Sequence, residues 1–421
     1  MAATEVTEQT VERPLDTEGA VPPVLDGLLV RNGPTGYADG ATGPDADGMV
    51  HALELRAGAA VGYRSRWVRT RRLAGVAGTT PARGPAQAVD GPANIHVVWH
   101  GGRLLALDGQ GLPHLLSPRL DTVGVEDFDG MLTSPVSAHP HVDPATGVMA
   151  FTGTDVFGPP FLRYHELDAA GMLVHSTEVP LEQAVLHADL GVTASRVVLF
   201  DLPPVHDRGA RPLPFSWDSA DGDGRPARVG VLARGATGET VRWVPTEPCV
   251  VTHVANAFDD GDDVVADVVR HDGWTPDDPL APPAVLERWR IGRRSVARTP
   301  VDDLSVELPR VDPALAGRPY RFVYCAADDG ALVRYDLDRD ERARWEPGGG
   351  RAAGEPLFVR DPDGHADDEG WVLALVDEGE TTDLVVLDAS SFGRRAPDAV
   401  VHLPARVRRS CHGSWAAGLH P

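Results

Sequence analysis

The sequence predicts an all-β protein, and three observations support that prediction. Short runs rich in Val, Leu and aromatic residues recur along the whole chain. Glycine and proline, 45 and 37 of the 421 residues, separate these runs at short intervals. Runs with the 3.6-residue apolar period of an amphipathic helix are hard to find. The pattern is typical of a sandwich, a barrel or a propeller, and a length of 421 residues favours the propeller.

The predicted strands follow one another along the chain. We expect them at HALELRA, GYRSRWVRTRRL, NIHVVWH, RLLALDG, GVMAFTG, SRVVLFDLP, RVGVLARG, DVVADVVRH, RFVYCAA, GALVRYDLD, GWVLALVDEG and TDLVVLDAS. Gly101 and Gly102 separate VVWH from RLLAL, and glycine supplies the positive φ that a two-residue hairpin turn requires. Because the chain has no WD or kelch repeat, self-similarity does not give a number of blades.

Charge and composition exclude several classes of protein. The formal net charge of -23 argues against a general nucleic-acid binder, which normally carries a basic stripe. No apolar run reaches the roughly 18 residues of a membrane span. The N-terminal segment is acidic and has neither the basic start nor the apolar core of a targeting signal, so we predict a cytoplasmic protein. Cys249, Cys325 and Cys411 are too few, and odd in number, for a disulfide framework.

The chain is expected to form one domain. Residues 1–20 are acidic and contain proline, and we expect this segment to be mobile. No Pro/Ser-rich linker divides the rest of the chain. The prediction is therefore a single propeller domain over residues 21–421.

Four histidines lie beside predicted strands and are candidates for a metal site. They are His139 in SAHPHVDPATG, His187 in VLHADLGVT, His253 in VTHVANAF and His412 in SCHGSW. They are so far apart in sequence that no two can share one helix face, so a site would need a closed fold that brings them together. Neutral imidazole suits iron, copper, nickel and zinc. Spacing alone does not distinguish these four from the other histidines, since the chain has 16 in all.

The segments around these histidines, taken in order, resemble the carotenoid cleavage oxygenase family, which also includes stilbene-cleaving enzymes. The likeness covers nearly the whole chain. The matching segments are GLLVRNGP, DADGMVHAL, YRSRWVRT, GRLLAL, AHPHVDPATG, PFSWD, RVGVLAR, HVANAF, ELPR, GRPYRFVY, GEPLFV and HGSW. The resemblance implies a seven-bladed β-propeller with a dome of loops and helices over one face and a non-haem iron on the propeller axis.

The resemblance also implies an activity. His139, His187, His253 and His412 would bind one Fe(2+) per chain, and dioxygen would be the co-substrate. The expected enzyme is a dioxygenase that cleaves a conjugated C=C bond of a carotenoid or apocarotenoid into carbonyl products. Cleavage of a stilbene or phenylpropanoid is the alternative within the family. A non-catalytic carotenoid-binding propeller is the alternative of another class.

Family glutamates hold the second ring nitrogen of the ligating histidines. The resemblance places Glu307 of VELPRVDP in this role, with Glu287 of VLERWRI as a second candidate. Glu355 in GEPLFV belongs to a family motif, with a role that the resemblance does not specify. A third family glutamate follows the LLAL run, but Gly109 stands at that position here. Either Asp108, a backbone carbonyl or a water replaces it, or the protein binds iron less tightly.

The substrate is expected to be lipophilic. Phe258, which follows His253 in HVANAF, is predicted to contact it. Stilbene-cleaving relatives have a lysine at the position of Asp108, so the aspartate favours an apolar, carotenoid-like substrate. Such a substrate predicts an apolar surface patch near residues 156–162 and peripheral contact with a membrane. Because the protein is acidic, that contact would depend on apolar groups rather than on charge.

Overall fold

The computed structural model describes residues 7–37, 46–85, 87, 89–210, 214–217, 226–273, 283–407 and 412–421. Cys411 and parts of the DADGM and PFSWD motifs lie outside these residues. The chain divides into two compact units. Unit 1 comprises Met1–Gly130 and Arg321–Pro421, and unit 2 comprises Met131–Tyr320.

Unit 1 contains strands of four antiparallel sheets, which we number in chain order. Sheet 1 has the strands Gln9–Val11, Gly27–Pro34, Gly48–Arg56, Ala59–Trp67 and His412–Ala417. Sheet 2 has His96–His100, Arg103–Leu107, His114–Leu116 and Thr122–Val125. Sheet 6 contributes Phe322–Ala327, Leu332–Asp336 and Glu341–Trp345. Sheet 7 has Thr17–Gly19, Ala352–Ala353, Leu357–Arg360, Gly370–Asp377, Thr382–Asp388 and Ala399–His402.

Unit 2 contains three four-stranded antiparallel sheets. Sheet 3 has the strands His141–Val142, Met149–Thr154, Phe161–Leu167 and Leu173–Pro180. Sheet 4 has Gly191–Val192, Arg196–Asp201, Arg228–Ala233 and Arg242–Pro245. Sheet 5 has Val250–Asp260, Asp263–His271, Ala284–Ile291 and Val296–Pro300. Unit 2 also has the strand Val306–Arg310, a ribbon of Pro204–His206 with Phe215–Trp217, and the 3-10 helices Gly238–Thr240 and Pro313–Leu315.

The sheets are formed mainly from strands that are consecutive in sequence. One exception is sheet 1, where the strand His412–Ala417 pairs with Gly27–Pro34 and brings the end of the chain back to its beginning. The predicted glycine hairpin is confirmed. Gly101 and Gly102 join the first two strands of sheet 2 with φ values of 55° and 73°, the positive values that a tight two-residue turn needs.

Neighbouring sheets pack face to face around apolar cores. In unit 1, one core lies between sheets 1 and 7 and another between sheets 1 and 2. In unit 2, the cores lie between sheets 3 and 4 and between sheets 4 and 5. A sheet packed on both faces has apolar residues at successive positions, which explains the unbroken run from Val197 to Leu199, each 0 % exposed. Burying each such aliphatic side chain contributes about 1.5–3 kcal/mol.

The prediction of a strand at GYRSRWVRTRRL is wrong at its C-terminal end. The strand ends at Trp67, and Arg71–Ala77 forms an α-helix. Thr70 caps this helix, because its side-chain oxygen accepts a hydrogen bond from the backbone N–H of Leu73 at 3.1 Å. Gly78 ends the helix in the left-handed conformation.

The N-terminal segment is more ordered than we expect from its composition. Residues 1–6 lie outside the described part of the chain, but two short strands occur within residues 7–20. Gln9–Val11 pairs with sheet 1 at Tyr63, and Thr17–Gly19 pairs with Ala399–His402 of sheet 7. Edge-strand pairing therefore orders two short parts of the segment predicted to be mobile. Within the described ranges, no helix is long and apolar enough to cross a membrane.

Two histidines outside the predicted metal set are buried in the sheets. His51 bonds the hydroxyl of Tyr63 at 2.7 Å, and His165 bonds the hydroxyl of Ser134 at 2.8 Å and stacks on Phe151. Burial disfavours the charged imidazolium, and it lowers the pKa of His51 to about 4 and the pKa of His165 to about 3. Both rings are therefore neutral near pH 7.

These two pKa values predict a pH dependence of stability. Between about pH 6.5 and pH 4 the unfolded chain takes up protons on His51 and His165 that the folded chain does not, so the free energy of unfolding falls as pH falls. The slope is about 1.4 kcal/mol per pH unit for each fully titrating histidine. Denaturant unfolding at several pH values measures this slope. In His165→Asn, the free energy of unfolding should depend less steeply on pH.

His402 provides the control for this measurement. The pKa of His402 is raised, chiefly by a hydrogen bond to Asp383, so His402 stabilises the fold as pH falls. In His402→Asn, the free energy of unfolding should therefore not become less dependent on pH. A wild-type free energy of unfolding that is constant over this pH range contradicts the assignment of His51 and His165 as buried neutral groups.

Candidate metal centre

His139 and His253 come together in unit 2. His139 lies two residues before the first strand of sheet 3, and His253 lies within the first strand of sheet 5. Their ring centroids are 5.0 Å apart in an edge-to-face arrangement, and one ring nitrogen of each lies within 4.8 Å of the other. Two imidazole nitrogens this close are compatible with binding one metal ion.

Glu307 holds the ring of His253. Its Oε2 accepts a hydrogen bond from Nδ1 of His253 at 2.7 Å, and its Oε1 accepts one from Nε2 of His271 at 2.8 Å. The hydroxyl of Thr252 donates to the same carboxylate at 3.1 Å. Because Glu307 binds Nδ1, Nε2 is the nitrogen through which His253 would bind a metal. This contact is the one that the sequence predicts for Glu307.

A β-bulge allows neighbouring side chains to reach Glu307. Successive residues of a regular strand point to opposite faces, so Thr252 and His253 would not normally share one partner. The register of Val250–Asp260 against Asp263–His271 shifts between Val251 and His253. The bulge turns the backbone locally, and both side chains contact the carboxylate.

The Glu307 carboxyl is ionised. Burial alone would raise its pKa, but the charge of His253 and the hydrogen bonds from His253 and His271 outweigh burial and hold the pKa well below its usual value. A carboxylate that accepts the Nδ1–H of an imidazole favours one tautomer and makes the opposite nitrogen more basic. The environment of His253 is compatible with a metal ligand.

His412 has an equivalent partner in unit 1. It is the first residue of the strand His412–Ala417, and its Nδ1 donates to Oε1 of Glu355 at 2.9 Å. Oε2 of Glu355 accepts the backbone N–H of Gly413 at 3.0 Å and forms an ion pair with Arg31. Glu355 and Arg31 are both almost fully buried. The GEPLFV motif therefore supplies the carboxylate that orients His412, which sequence reasoning did not identify.

His187 does not join His139 and His253. Within the described part of the chain, the ring nitrogens of His139, His187 and His253 do not all lie within 4.8 Å of one another. The Nε2 of His187 accepts the backbone N–H of Phe200 at 3.3 Å, so Nδ1 carries the proton and donates to the hydroxyl of Thr152 at 3.2 Å. Burial lowers the pKa of His187 to about 4. Both nitrogens have protein partners, as expected of a neutral histidine in a core.

Glu287 is placed differently from its predicted role. Its Oε1 is 2.9 Å from Nε of Arg270, and its Oε2 accepts from Trp289 at 2.8 Å and lies 3.2 Å from Nε of Arg298. Two guanidinium groups and an indole thus compensate the buried charge. This carboxylate belongs to an ion-pair network with Arg270 and Arg298 rather than to a histidine.

Asp108 does not replace the missing family glutamate as a histidine partner. Its carboxylate accepts the backbone N–H groups of Ala93, Gln110 and Gly111 at 2.7–2.9 Å and organises a turn. Gly109 within that turn has φ of 82°, a value that disfavours any residue with a side chain.

The surroundings of Phe258 and of the predicted apolar patch do not indicate a substrate site. Phe258 packs edge-on against Tyr320 and lies under the guanidinium of Arg288. Five residues of strand separate it from His253, about 16 Å of extended backbone. In the segment 156–162, Phe157 is 57 % exposed whereas Leu162 is fully buried. These placements give no support to a substrate role for Phe258, and they show one exposed aromatic side chain where we expect a patch.

Two contacts of the candidate residues, those made by His271 and Thr152, were missed by sequence reasoning. The single histidine of DVVADVVRH carries no local signature, and a threonine inside GVMAFTG looks like any other strand residue. Only the pairing of distant strands brings His271 to Glu307 and Thr152 to His187. No sequence signal was available for either contact.

Comparison with known proteins decides the family. Residues 3–417 match the family model described as retinal pigment epithelial membrane protein. The chain belongs to the carotenoid cleavage oxygenase family. The resemblance seen in the sequence is thus confirmed, and so is the prediction that the chain is a dioxygenase enzyme.

Relatives within the carotenoid cleavage oxygenase family align over almost their full length. The chain is 30% identical to a carotenoid cleavage oxygenase of Mycobacterium tuberculosis, covering 98% of this chain and 95% of that one. It is 31% identical to the apocarotenoid-15,15'-oxygenase of Synechocystis sp., covering 95% and 92%. The lignostilbene dioxygenase of Pseudomonas brassicacearum superposes with a TM-score of 0.87 at 28% identity, covering 99% and 97%. The seven sheets are those of a seven-bladed β-propeller, as predicted.

The contacts of Glu307 predict the effect of its removal on metal binding. Glu307→Gln keeps the size of the side chain but presents an amide to two imidazole donors, so the Nδ1–H of His253 loses a charged acceptor. The affinity of the protein for ferrous iron should fall about 10- to 100-fold, as it does when a residue that hydrogen-bonds a metal-binding histidine is removed. Titration of the metal-free protein with ferrous iron under anaerobic conditions measures it.

Glu287→Gln is the matched control for Glu307→Gln. Glu287 is also buried and in unit 2, but its partners are Arg270, Arg298 and Trp289. This variant should lose stability without losing ferrous affinity. Equal losses of affinity in the two variants would contradict the specific role of Glu307.

Proposed function

We propose that the chain is a ferrous iron-dependent dioxygenase that cleaves a conjugated C=C bond of a carotenoid or apocarotenoid to carbonyl products. The observation that carries the proposal is the approach of His139 to His253, whose ring is held by the Glu307 carboxylate. Membership of an oxygenase family supports the reaction class. The iron ligands in the proposal are His139, His253 and His412, with one ion per chain.

The ligand set is argued from imidazole chemistry. His253 and His412 each donate Nδ1–H to a glutamate, so both present Nε2 as the metal-binding nitrogen. Neutral imidazoles are ligands that iron accepts. Carboxylate partners behind the ligands raise their basicity and fix their orientation, an arrangement found around protein metal sites generally.

His187 is left out of the proposed ligand set, although the family resemblance includes it. To bind a metal through Nε2, the ring would have to give up the N–H of Phe200, and Nδ1 already donates to Thr152. We propose that His187 is a core residue of unit 2.

Bound iron would supply the one-electron steps that allow dioxygen to react with a spin-paired organic substrate, which zinc cannot do. The residues of this chain have other tasks. Glu307 and Glu355 accept the Nδ1 protons of His253 and His412 and so fix the tautomer and the orientation of both imidazoles.

A carotenoid-like substrate is favoured over a stilbene by the surroundings of Asp108. A phenolic stilbene needs a polar anchor, and the Asp108 carboxylate is bound to three backbone N–H groups. A stilbene or phenylpropanoid is the second candidate, because a lignostilbene dioxygenase is similar over almost the whole chain. Peripheral contact with a membrane and a cytoplasmic location stay predictions from the sequence.

Metal loading tests the ligand set. Metal-free protein titrated with ferrous iron should bind about one equivalent. His253→Ala should abolish this binding, whereas His187→Ala should retain it and lose thermal stability instead, because it removes a buried ring that bonds Thr152 and Phe200. Loss of iron from His187→Ala would return His187 to the ligand set. Undiminished iron binding by the His253→Ala variant would contradict the proposed metal centre.

Product analysis tests the reaction. The iron-loaded protein, incubated in air with carotenoids, apocarotenals and hydroxystilbenes, should yield a pair of carbonyl products from a polyene, identified by mass. Products from hydroxystilbenes alone would select the second candidate. Iron bound without products from any compound in the panel would select the non-catalytic carotenoid binder.

A further inference from the structure

The segment that follows His187 contains a buried carboxylate that the proposed ligand set does not use. Asp189 is 3 % exposed. Its Oδ1 accepts hydrogen bonds from Nε2 of His141 and from the backbone N–H of Leu190, both at 2.7 Å, and its Oδ2 accepts the backbone N–H of Val254 at 2.7 Å. All three partners are donors, so the group that they surround is an ionised carboxylate.

Two of these partners adjoin proposed iron ligands. His141 lies two residues after His139, and Val254 immediately follows His253. The carboxylate of Asp189 therefore joins two chain segments that are distant in sequence and that carry the two approaching imidazoles. It does so by one contact with a side chain and one with the backbone.

The position of His139 depends on such a contact more than that of His253 does. His253 lies within an eleven-residue strand, whereas His139 precedes a strand of only two residues, His141–Val142. Pro140 between them has no N–H to donate to a sheet ladder. With so little strand pairing, the hydrogen bond of the His141 side chain is one of the contacts that anchor this segment.

The geometry points to Asp189 as a positioning residue that holds His139 and His253 at the separation a shared metal ion requires. The inference rests on the proposed function, because it assigns a role relative to the proposed ligands. In this role Asp189 is neither a metal ligand nor a substrate-binding group. It acts through His141 and the backbone of Val254.

Asp189→Asn tests the role with almost no change in volume. The amide presents one acceptor oxygen where the carboxylate has two, and its NH2 group faces a donor. At least one of the bonds to His141, Leu190 and Val254 is therefore lost. Affinity for Co2+, a spectroscopic substitute for ferrous iron, should fall about 10- to 100-fold. The visible Co2+ spectrum, which reports coordination geometry, should change as well.

Asp267→Asn is the matched control. Asp267 is 0 % exposed and also lies in unit 2, but its partners are Arg288 and Tyr320. The two variants should lose comparable thermal stability in the metal-free state. Only Asp189→Asn should weaken Co2+ binding and alter the Co2+ spectrum, a difference that a general loss of stability would not produce.

Variants of His141 provide a second approach if Asp189→Asn folds poorly. The His141 side chain is 22% exposed, so its substitution disturbs the fold less. His141→Gln keeps an N–H donor directed at Asp189 and should retain most of the Co2+ affinity, whereas His141→Ala removes the donor and should not. Recovery of affinity in the glutamine variant identifies the hydrogen bond as the element that matters.

A metal-free measurement separates this inference from the proposed function. Amide hydrogen exchange in the segments around His139 and His253 should be faster in Asp189→Asn than in Asp267→Asn. If wild-type protein binds Co2+ and Asp189→Asn binds it equally well, the positioning role is overturned while the proposed function stands. If wild-type protein binds no Co2+, the proposed function fails and the positioning role with it, whatever the exchange rates show.

Discussion

The hydrogen bond between the Glu307 carboxylate and Nδ1 of His253 is the interaction on which the proposed centre depends. An imidazole has two chemically similar nitrogens, and a ring free to choose between tautomers is a poorly defined ligand. The carboxylate removes that freedom by holding the Nδ1 proton at 2.7 Å. Glu355 does the same for His412 at 2.9 Å. Each glutamate is held in turn by further donors, which are His271 and Thr252 for Glu307 and Arg31 and Gly413 for Glu355.

The packing of the sheets makes burial of these carboxylates energetically possible. Burying an ionised carboxylate is costly unless donors surround it, and close packing of adjacent sheets brings donors from several strands to one place. Irregularities then adjust individual side chains. The bulge at His253 lets neighbouring residues share Glu307, and the short strand after His139 is joined to Asp189 through the side chain of His141. The regular parts of the fold supply rigidity, and its irregular parts direct the functional groups.

The fold class could be predicted from sequence because strands packed on both faces leave a continuous apolar signal. The glycine hairpin at Gly101 and Gly102 followed from the positive φ that only glycine adopts easily. The helix after Thr70 was missed because a seven-residue helix is too short to show an apolar period, although its capping threonine and terminal Gly78 are visible in the sequence. The order of the N-terminal strands depends on pairing with distant sheets, which composition does not report.

The candidate site, like the fold, could be predicted from the sequence only in part. Motifs identified His139, His187, His253, His412 and Glu307, because each has a distinctive local frame. The role of Glu355, the bonds of Glu287 to arginines and the satisfied nitrogens of His187 depend on the registers of distant strands. A motif shows which residue types occur together in sequence. A shift of one residue in strand register changes which group a side chain contacts, and a motif does not show that register.

Iron K-edge X-ray absorption of the ferrous-loaded protein tests the central claim most directly. The account predicts a first shell of nitrogen and oxygen atoms with the outer-shell scattering of imidazole rings, and a clear loss of that scattering in His253→Ala. A spectrum without imidazole scattering, or one that His253→Ala leaves unchanged, would contradict a histidine-held iron centre.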